Sequence, residues 1–465
     1  MIKETQPQSP KIVEYWETER LPQMHKTSPE FRNALQLSYN PETLRLLFEE
    51  PFLPTAEIER KQFERVRELV TLAYNKIPVY REKYQKEGFE PGDLNDWDDY
   101  HRLPVITKDE LIGAFPDLCV NPDYKVDDLF PTRSSGSSGK TLRIYVDPQA
   151  IITDTLKGIR QFWLQSGGGY TKEHTIAHVY TVPWWIDSLG RGDYQSIFIS
   201  SLIDPAEIAK ILEEVSPDIL SLYPTNLQSL IPLLSKQVKE RLKLVVVHSE
   251  ISSKQERITM SQQLGEIPVL DEYSSEELTR IALELPCGHY RLCDDTVRVD
   301  VVDPKTLMPI QEGTGLVVGT NLLNTAMPFI KYVQGDCVTI NKPQNCDVNW
   351  RQIEKVEGRQ NDAFLRKDGV VVPAGTILDI TYRWMFDIGI NIQEFEIIQT
   401  SPNDFRVTLK EPTLLHNSER RTQSFQHLRH LLGVVFGEEI NISFNVVDSF
   451  PPQTQRKRRP IRREF

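Results

Sequence analysis

The octapeptide RSSGSSGK, Arg133 to Lys140, is the first stretch whose residue types suit a ligand rather than a core. Its glycines let successive backbone N–H groups converge on an anion, its serine hydroxyls are rotatable donors, and Lys140 adds a positive charge. By composition alone it is equally a flexible linker. A Walker loop needs G-x-x-x-x-G-K-[ST] opening a helix. Gly139, Lys140 and Thr141 supply the end of that pattern, but Ser134 stands where the first glycine belongs, and the following TLRIYVDP alternates like a strand. FPTR before the loop also reads as a short strand, so the loop joins strand to strand inside one folding unit. A phosphate cradle and a plain surface loop remain as its two readings.

Thiols are the second group with chemistry to offer. Of five cysteines, Cys119 is alone, whereas Cys287, Cys293, Cys337 and Cys346 share one stretch. Clustering in a cytosolic chain suggests a metal more than disulfides. The spacings Cys-x5-Cys and Cys-x8-Cys match no standard zinc pattern, so scattered core thiols are the competing reading.

The elements that must position these groups follow from periodicity. Residues 1–60 read as a helical preamble, and 59–87 carry apolar residues at helical spacing until Ile77-Pro78 interrupts them. A helix starts after Pro148. From 195 to 275 the chain alternates: strand SIFIS, helix PAEIAKILEEV, strand DILSLY, helix TNLQSLIPLLSKQ, strand LKLVVVHS, helix SSKQERITMSQQL, strand IPVLDEY. That alternation implies βαβ units around a parallel sheet, whose ligands sit beyond the carboxyl ends of the strands. Those ends are Ser249-Glu250 and Asp271-Glu272-Tyr273. From 279 to 340 the pattern is β, with PFIKYV among its strands, and the last hundred residues form an α+β unit.

Bulk properties bound the class. A chain of 465 residues has room for two or three domains. Its 39% hydrophobic and 26% charged residues are ordinary for a globular protein. The net charge of −12 argues against a general nucleic-acid binder. No apolar run approaches a membrane span, and MIKETQPQSPK lacks a signal-peptide core. The expectation is a cytoplasmic enzyme, monomeric or homodimeric, without nucleic-acid or membrane partners.

Taken in order along the chain, these motifs resemble the adenylate-forming superfamily of acyl- and aryl-CoA synthetases, luciferases and peptide-synthetase adenylation domains. SSGSSGK resembles the family's [ST]-S-G-[ST]-[ST]-G-K phosphate loop. VRELVTLAYNKIPVYREKYQKEGFEPGDLNDWDDYHRLPVITKDEL is similar to the opening of the phenylacetate–CoA ligase branch, and the likeness runs from about residue 60 to the C-terminus. The resemblance implies an α/β fold: a large N-terminal domain with parallel and mixed sheets and a β-rich subdomain, then a small mobile α+β C-terminal domain. Its expected bounds are 1–360 (preamble 1–60, α/β part 61–277, β-rich part 278–360) and 361–465.

It also implies a chemistry. A carboxylate would attack the α-phosphate of ATP to give an acyl-adenylate and pyrophosphate, and a thiol, most directly coenzyme A, would then displace AMP. Ser134, Ser135, Gly136, Ser137, Ser138, Gly139 and Lys140 would hold the β- and γ-phosphates. HSE resembles the G-[AG]-E segment beside the acyl and adenine pockets, which makes His248, Ser249 and Glu250 candidates. DEYSSEE resembles D-x-Y-G-x-[ST]-E; Asp271 and Glu272 open it, Tyr273 would lie against adenine and Glu277 would hold Mg2+, while Ser274 and Glu276 depart from the pattern. MPFIKYVQGD resembles the motif whose aspartate, here Asp336, accepts both ribose hydroxyls. In GRQND, Arg359 would contact ribose or phosphate and Asn361, where Asp or Lys is usual, would be the hinge.

PPQTQRKRR resembles the C-terminal motif that carries the adenylation lysine, here Lys457, with Arg456 at its glycine. The acyl pocket would draw on HVYTVPWWIDSLGRGDY, with Tyr180, Trp184 and Trp185. PCGHYRLC falls where relatives carry E-C-x-x-G-x-H, so Cys287, Cys293, Cys337 and Cys346, with His289 as an alternative, would close a structural zinc site. Within this chemistry the acceptor is coenzyme A, an amine or a carrier-protein thiol. A different class of reading is a scaffold that binds nucleotide without turnover.

Overall fold

The computed structural model describes residues 29–134, 141–180, 193–342, 344–390, 392, 394–437, 439–450 and 460–465. Helices Thr55–Lys76 and Pro78–Lys86 break at Ile77, as the Ile77-Pro78 step dictates. Phe130–Arg133 (β1) and Arg143–Val146 (β2) form an antiparallel hairpin with Arg133 opposite Arg143. The glycine–serine stretch is therefore the link between two paired strands, not between domains. The helix Pro148–Gln165 follows, capped by Asp147, whose carboxylate accepts from the Ala150 N–H.

The α/β alternation then builds the main sheet. Its strands are Ile176–Tyr180 (β3), Ser196–Ser200 (β4), Ile219–Leu222 (β5), Leu244–His248 (β6), Val269–Ser275 (β7), Thr279–Glu284 (β8) and Tyr290–Leu292 (β9). Val297–Val302 (β10), Gly313–Asn321 (β11) and Tyr332–Ile340 (β12) belong to a second sheet, before Gln352–Ile353 (β13) returns to the first. The eight-stranded order is β13-β9-β8-β7-β6-β5-β3-β4. Pairing is parallel from β4 to β7 and antiparallel from β7 to β13. The expected parallel sheet is thus extended by an antiparallel flank that includes TRIALEL.

Strand β6 shows why this sheet holds. Leu244, Val245, Val246 and Val247 are each 0% exposed. Side chains alternate between faces, so Val245 and Val247 join Leu212, Leu220, Leu227 and Met260, whereas Leu244 and Val246 join Ile152, Leu156, Ile159 and Phe162 of the helix Pro148–Gln165. Two departures from the sequence pattern have local causes. The helix expected over TNLQSLIPLLSKQ is two, Pro224–Leu230 and Lys236–Arg241, because Pro232 has no N–H for a helix interior. PFIKYV is not one strand: Lys331 has φ +49°, and β12 begins only at Tyr332.

The chain divides into two compact units. The first takes the described residues through Ser249 with Met260–Gln334 and Ile340–Lys355; the second takes Glu250–Thr259, Gly335–Thr339 and the described residues from Val356 on. The partition therefore falls a few residues before the expected 360/361 joint, and the second unit recruits two earlier segments. Within it, Lys355–Arg359 (β14) leads to Phe364–Leu365 (β15), Val371–Val372 (β16) and the helix Ala374–Ile388, which the sequence pattern did not mark. Glu394–Ser401 (β17), Asp404–Lys410 (β18), Asn441–Val446 (β19) and Ile461–Arg463 (β20) form a sheet in the order β19-β18-β17-β20. Trp384, Ile397, Phe405, Leu428 and Leu432 fill its core. Among the described residues no helix is long and apolar enough to cross a membrane.

One buried charge cluster anchors the helix Pro148–Gln165 to the antiparallel flank of the first unit. The Asp295 carboxylate takes Arg160 in bidentate fashion at 2.7 and 2.9 Å and also pairs with Lys157. Burial pushes the Asp295 carboxyl up, but Arg160 and Lys157 prevail and hold it well below the usual range. A carboxyl depressed in the folded state contributes stability above about pH 4 that fades only in stronger acid. Asp295→Ala leaves two buried cations short of a partner and should cost about 3–5 kcal/mol in a denaturant titration near neutral pH. An unchanged midpoint would mean the cluster carries no net stability.

Candidate active site

Ser134 closes the base of the hairpin. Its N–H donates to the Leu142 carbonyl, and its Oγ accepts from the Leu142 N–H, both at 2.9 Å. Two residues back, Thr132 Oγ1 donates to Glu276 Oε2 at 2.7 Å, which ties the hairpin to the DEYSSEE segment. Ser135, Gly136, Ser137, Ser138, Gly139 and Lys140 lie outside the described residues, as do Trp184, Trp185 and Lys457.

The parallel strands bring their last residues to one edge. Tyr180 ends β3, Tyr223 follows β5 and His248 ends β6. Their rings meet: Tyr180 lies 5.0 Å from Tyr223 and 5.4 Å from His248, and Tyr223 lies 5.8 Å from His248. Ser249 turns the chain with φ +70°, a left-handed backbone that costs a non-glycine residue about 1 kcal/mol or more. Its Oγ sits 3.0 Å from His248 Nδ1. Burial pushes the Tyr180 phenol up, so it stays a neutral hydrogen-bonding group. His178, on the same side of β3 as Tyr180, approaches Ser196 Oγ at 3.2 Å, and burial pushes its pKa down to about 3. Neither His178 nor Tyr223 was singled out by sequence. Tyr223 was findable, because it directly follows a strand and precedes Pro224 at the start of a helix.

On β7 the alternation separates the motif residues. Asp271 is buried and its carboxylate accepts from Tyr290 Oη, while its N–H donates to Glu284 Oε2. Those bonds knit β7 to the antiparallel flank, so Asp271 acts inside the sheet. Glu272 points the other way and accepts from Gln161 Nε2 at 2.6 Å. Tyr273 is buried. Beyond the strand, Glu277 is 4% exposed; Tyr332 Oη donates to its Oε1 at 3.1 Å, and Asn321 Nδ2 to its carbonyl at 3.0 Å. A Cβ on Gly319 would lie 2.3 Å from Leu278 Cδ1, so the glycine on β11 leaves room for the residue that follows Glu277.

In the second unit Asp336 and Arg359 come together, with Arg359 Nε 2.7 Å from Asp336 Oδ1. Gly335 precedes the aspartate with φ +84°, a conformation open to glycine. Thr339 Oγ1 donates to Glu357 Oε1 at 2.8 Å, a second bond between the same two segments. Glu250 is partly exposed in this unit, and Asn361 lies in the 3-10 turn Gln360–Asp362, its side chain outside the described residues.

The four cysteines do not gather. Cys293 is buried among Ile58, Leu164, Leu283 and Trp350, and Cys337 is half-buried beside Asp336, with burial pushing its thiol up to about 11. Cys287 and Cys346 alone meet, at 2.9 Å between sulfurs. Among the described residues no three His, Cys, Asp or Glu side chains form a metal-ligating group. The expected zinc site is corrected accordingly: Cys293 belongs to an apolar cluster, and His289 joins no such group.

The fold is shared with solved CoA ligases. A 2-hydroxyisobutyryl-CoA ligase solved in its postadenylation state with an acyl-AMP superposes with TM-score 0.77 over 90% of this chain and 91% of that one, at 16% identity. An anthranilate CoA ligase solved with anthranoyl-AMP matches over 72% of this chain and 66% of that one, with TM-score 0.52 and 13% identity. In sequence, the chain is 23% identical to the phenylacetate–coenzyme A ligase of Escherichia coli K12 over 415 residues, 85% of this chain and 92% of that protein. The Thermus thermophilus phenylacetate–coenzyme A ligase is also 23% identical, over 69% of this chain and 74% of its own. No protein-family model matches the chain. Fold and sequence similarity together support the phenylacetate–CoA ligase-like branch of the adenylate-forming superfamily.

Just before Tyr332, the Lys331 ammonium is buried, donates to the His101 carbonyl at 2.6 Å and sits 5.5 Å from the Tyr100 ring centre. Burial lowers its pKa to about 8, against the opposing pull of Asp300. A lysine in the unfolded chain titrates near 10.4. Between about 8 and 10.4 the unfolded chain binds the extra proton, so this group makes folding stability rise with pH across that window, by about 3 kcal/mol at most. Lys331→Met should flatten that rise in denaturation midpoints taken from pH 7 to 10.5; an unchanged slope would assign it to other groups.

Proposed function

We propose that the chain activates a carboxylic acid with ATP, forming an acyl-adenylate with release of pyrophosphate, and then transfers the acyl group to coenzyme A. The observation that carries this reading is the convergence of Tyr180, Tyr223, His248 and Ser249 at the carboxyl ends of neighbouring parallel strands. Such a sheet edge is where ligands bind in this architecture. The similarity to phenylacetate–coenzyme A ligases over 92% of the Escherichia coli protein supplies the reaction class.

In the first step a carboxylate oxygen of the acid bonds to the α-phosphorus of ATP and pyrophosphate departs. In the second the thiol sulfur of coenzyme A bonds to the acyl carbon and AMP departs. Asp336 accepts the ribose hydroxyls, with Arg359 fixing its carboxylate at 2.7 Å, and Tyr273 faces the adenine. The 134–140 stretch cradles the outer phosphates. Tyr180 and His248, with Trp184 and Trp185, line the acyl site; rings there suit an aryl or small acyl acid. Lys457 places its ammonium between the carboxylate and the α-phosphate, stabilising charge as the new bond forms. Glu277 fits magnesium, being a buried carboxylate with one oxygen held by Tyr332, and a bound magnesium ion would offset the phosphate charge.

The test is pyrophosphate release over a panel of aryl, aliphatic and amino acids, with and without coenzyme A. At least one acid should release pyrophosphate, and coenzyme A should yield its thioester. Lys457→Ala should slow adenylate formation about 10²–10³-fold while sparing thioester formation from supplied acyl-adenylate. Asp336→Ala should chiefly raise the KM for ATP. Bound ATP with no release from any acid would leave a nucleotide-binding scaffold, and release that coenzyme A neither consumes nor stimulates would point to another acceptor.

A further inference from the structure

The Cys287 and Cys346 thiols have no part in the chemistry above, yet their placement is specific. They are 59 residues apart in sequence and 2.9 Å apart at sulfur. Cys287 lies in the tight turn between β8 and β9, where the Gly288 N–H donates to the Leu285 carbonyl and the Leu285 N–H to the His289 carbonyl. Cys346 lies in the segment joining β12 to β13. The two are brought together by backbone: β13 pairs with β9, Gln352 opposite Arg291 and Ile353 opposite Tyr290. Arg291 reinforces this by donating to the Trp350 carbonyl at 3.1 Å and the Gln344 carbonyl at 2.6 Å, on either side of Cys346. The thiols are therefore presented to each other by a sheet that needs no bond between them.

A metal would need more ligands than two sulfurs, and no third ligating side chain completes such a group among the described residues. Access and proximity together separate this pair from the other cysteines: Cys287 is exposed and Cys346 half-buried, Cys119 and Cys293 are buried, and Cys337, also half-buried, lies beside Asp336. Sulfurs at this separation need only a small side-chain adjustment to reach the disulfide bonding distance of about 2.0 Å.

We propose that Cys287 and Cys346 form an oxidation site that a hydroperoxide converts to a disulfide. One sulfur attacks the O–O bond, releasing an alcohol (water, if the oxidant is hydrogen peroxide) and becoming a sulfenic acid; the other displaces its hydroxyl, which leaves as water. The two sulfurs together lose two electrons and the peroxide gains them. The disulfide closes the chain from β9 through β12 into a loop, a segment that includes Asp336.

The test uses the full chain and hydrogen peroxide, followed by alkylation of remaining thiols and peptide mapping. The expected result is a dithiothreitol-reversible peptide joining Cys287 to Cys346, with two of the five thiols lost to alkylation. The oxidised chain should melt about 5 °C higher, because a closed loop restricts the unfolded ensemble. Cys287→Ser and Cys346→Ser should each abolish the cross-link and the shift. The proposal is overturned if both thiols stay alkylatable while other cysteines oxidise, or if Cys346 over-oxidises beside a free Cys287. It is equally overturned if the purified chain holds a stoichiometric metal that must be chelated before peroxide acts. The mapping of the unsubstituted chain decides the matter even if a serine variant folds poorly.

Discussion

A strand buried on both faces can hold a polar side chain only where it finds a partner, and partners come most freely at its end. Strand β6 obeys that constraint strictly: its four apolar residues are 0% exposed, and only the fifth, His248, can hydrogen-bond. β5 is apolar but for the buried Ser221, and its neighbouring ring, Tyr223, appears one residue past the strand. The ring cluster of this unit sits at the carboxyl edge, because the interior accepts a polar side chain only with a partner, as it does Asp271 with Tyr290. The left-handed Ser249 is the local cost of turning the chain sharply there, and it brings a hydroxyl against His248 in doing so.

The second unit solves a different problem, the orientation of a single carboxylate. An aspartate proposed to receive two adjacent hydroxyls must present its oxygens in a fixed plane. Arg359 fixes one oxygen of Asp336, and Thr339 to Glu357 pins the same pair of segments a few residues on. Gly335 supplies the backbone geometry that lets the strand deliver the carboxylate. Arg359 is thus placed as much to hold Asp336 as to meet a ligand.

What was legible in the sequence tracks what periodicity encodes. The helix break at Ile77, the hairpin around the glycine–serine loop and the alternation from SIFIS to IPVLDEY all follow from patterns a few residues long. The partnerships did not, because they join distant residues. Nothing in DEYSSEE says that Asp271 faces Tyr290 while Glu272 faces Gln161, though alternation says they face opposite ways. The cysteines misled for a similar reason: proximity in sequence suggested one site, but strand geometry sends Cys293 into an apolar cluster and Cys346 to Cys287. The helix Ala374–Ile388 carries a legible stripe as well, since its buried Ala374, Ile377, Leu378, Thr381 and Trp384 recur at helical spacing.

The second unit is assembled from three stretches of chain, not one, and its paired residues come from different stretches: Asp336 and Thr339 from the middle one, Arg359 and Glu357 from the last. Genetic exchange between related ligases that swapped only the tail would therefore marry one parent's aspartate to the other's arginine. Shuffling at the obvious late boundary breaks a partnership that the linear order of the gene hides. The paired residues of this unit are constrained to be inherited together across Lys355.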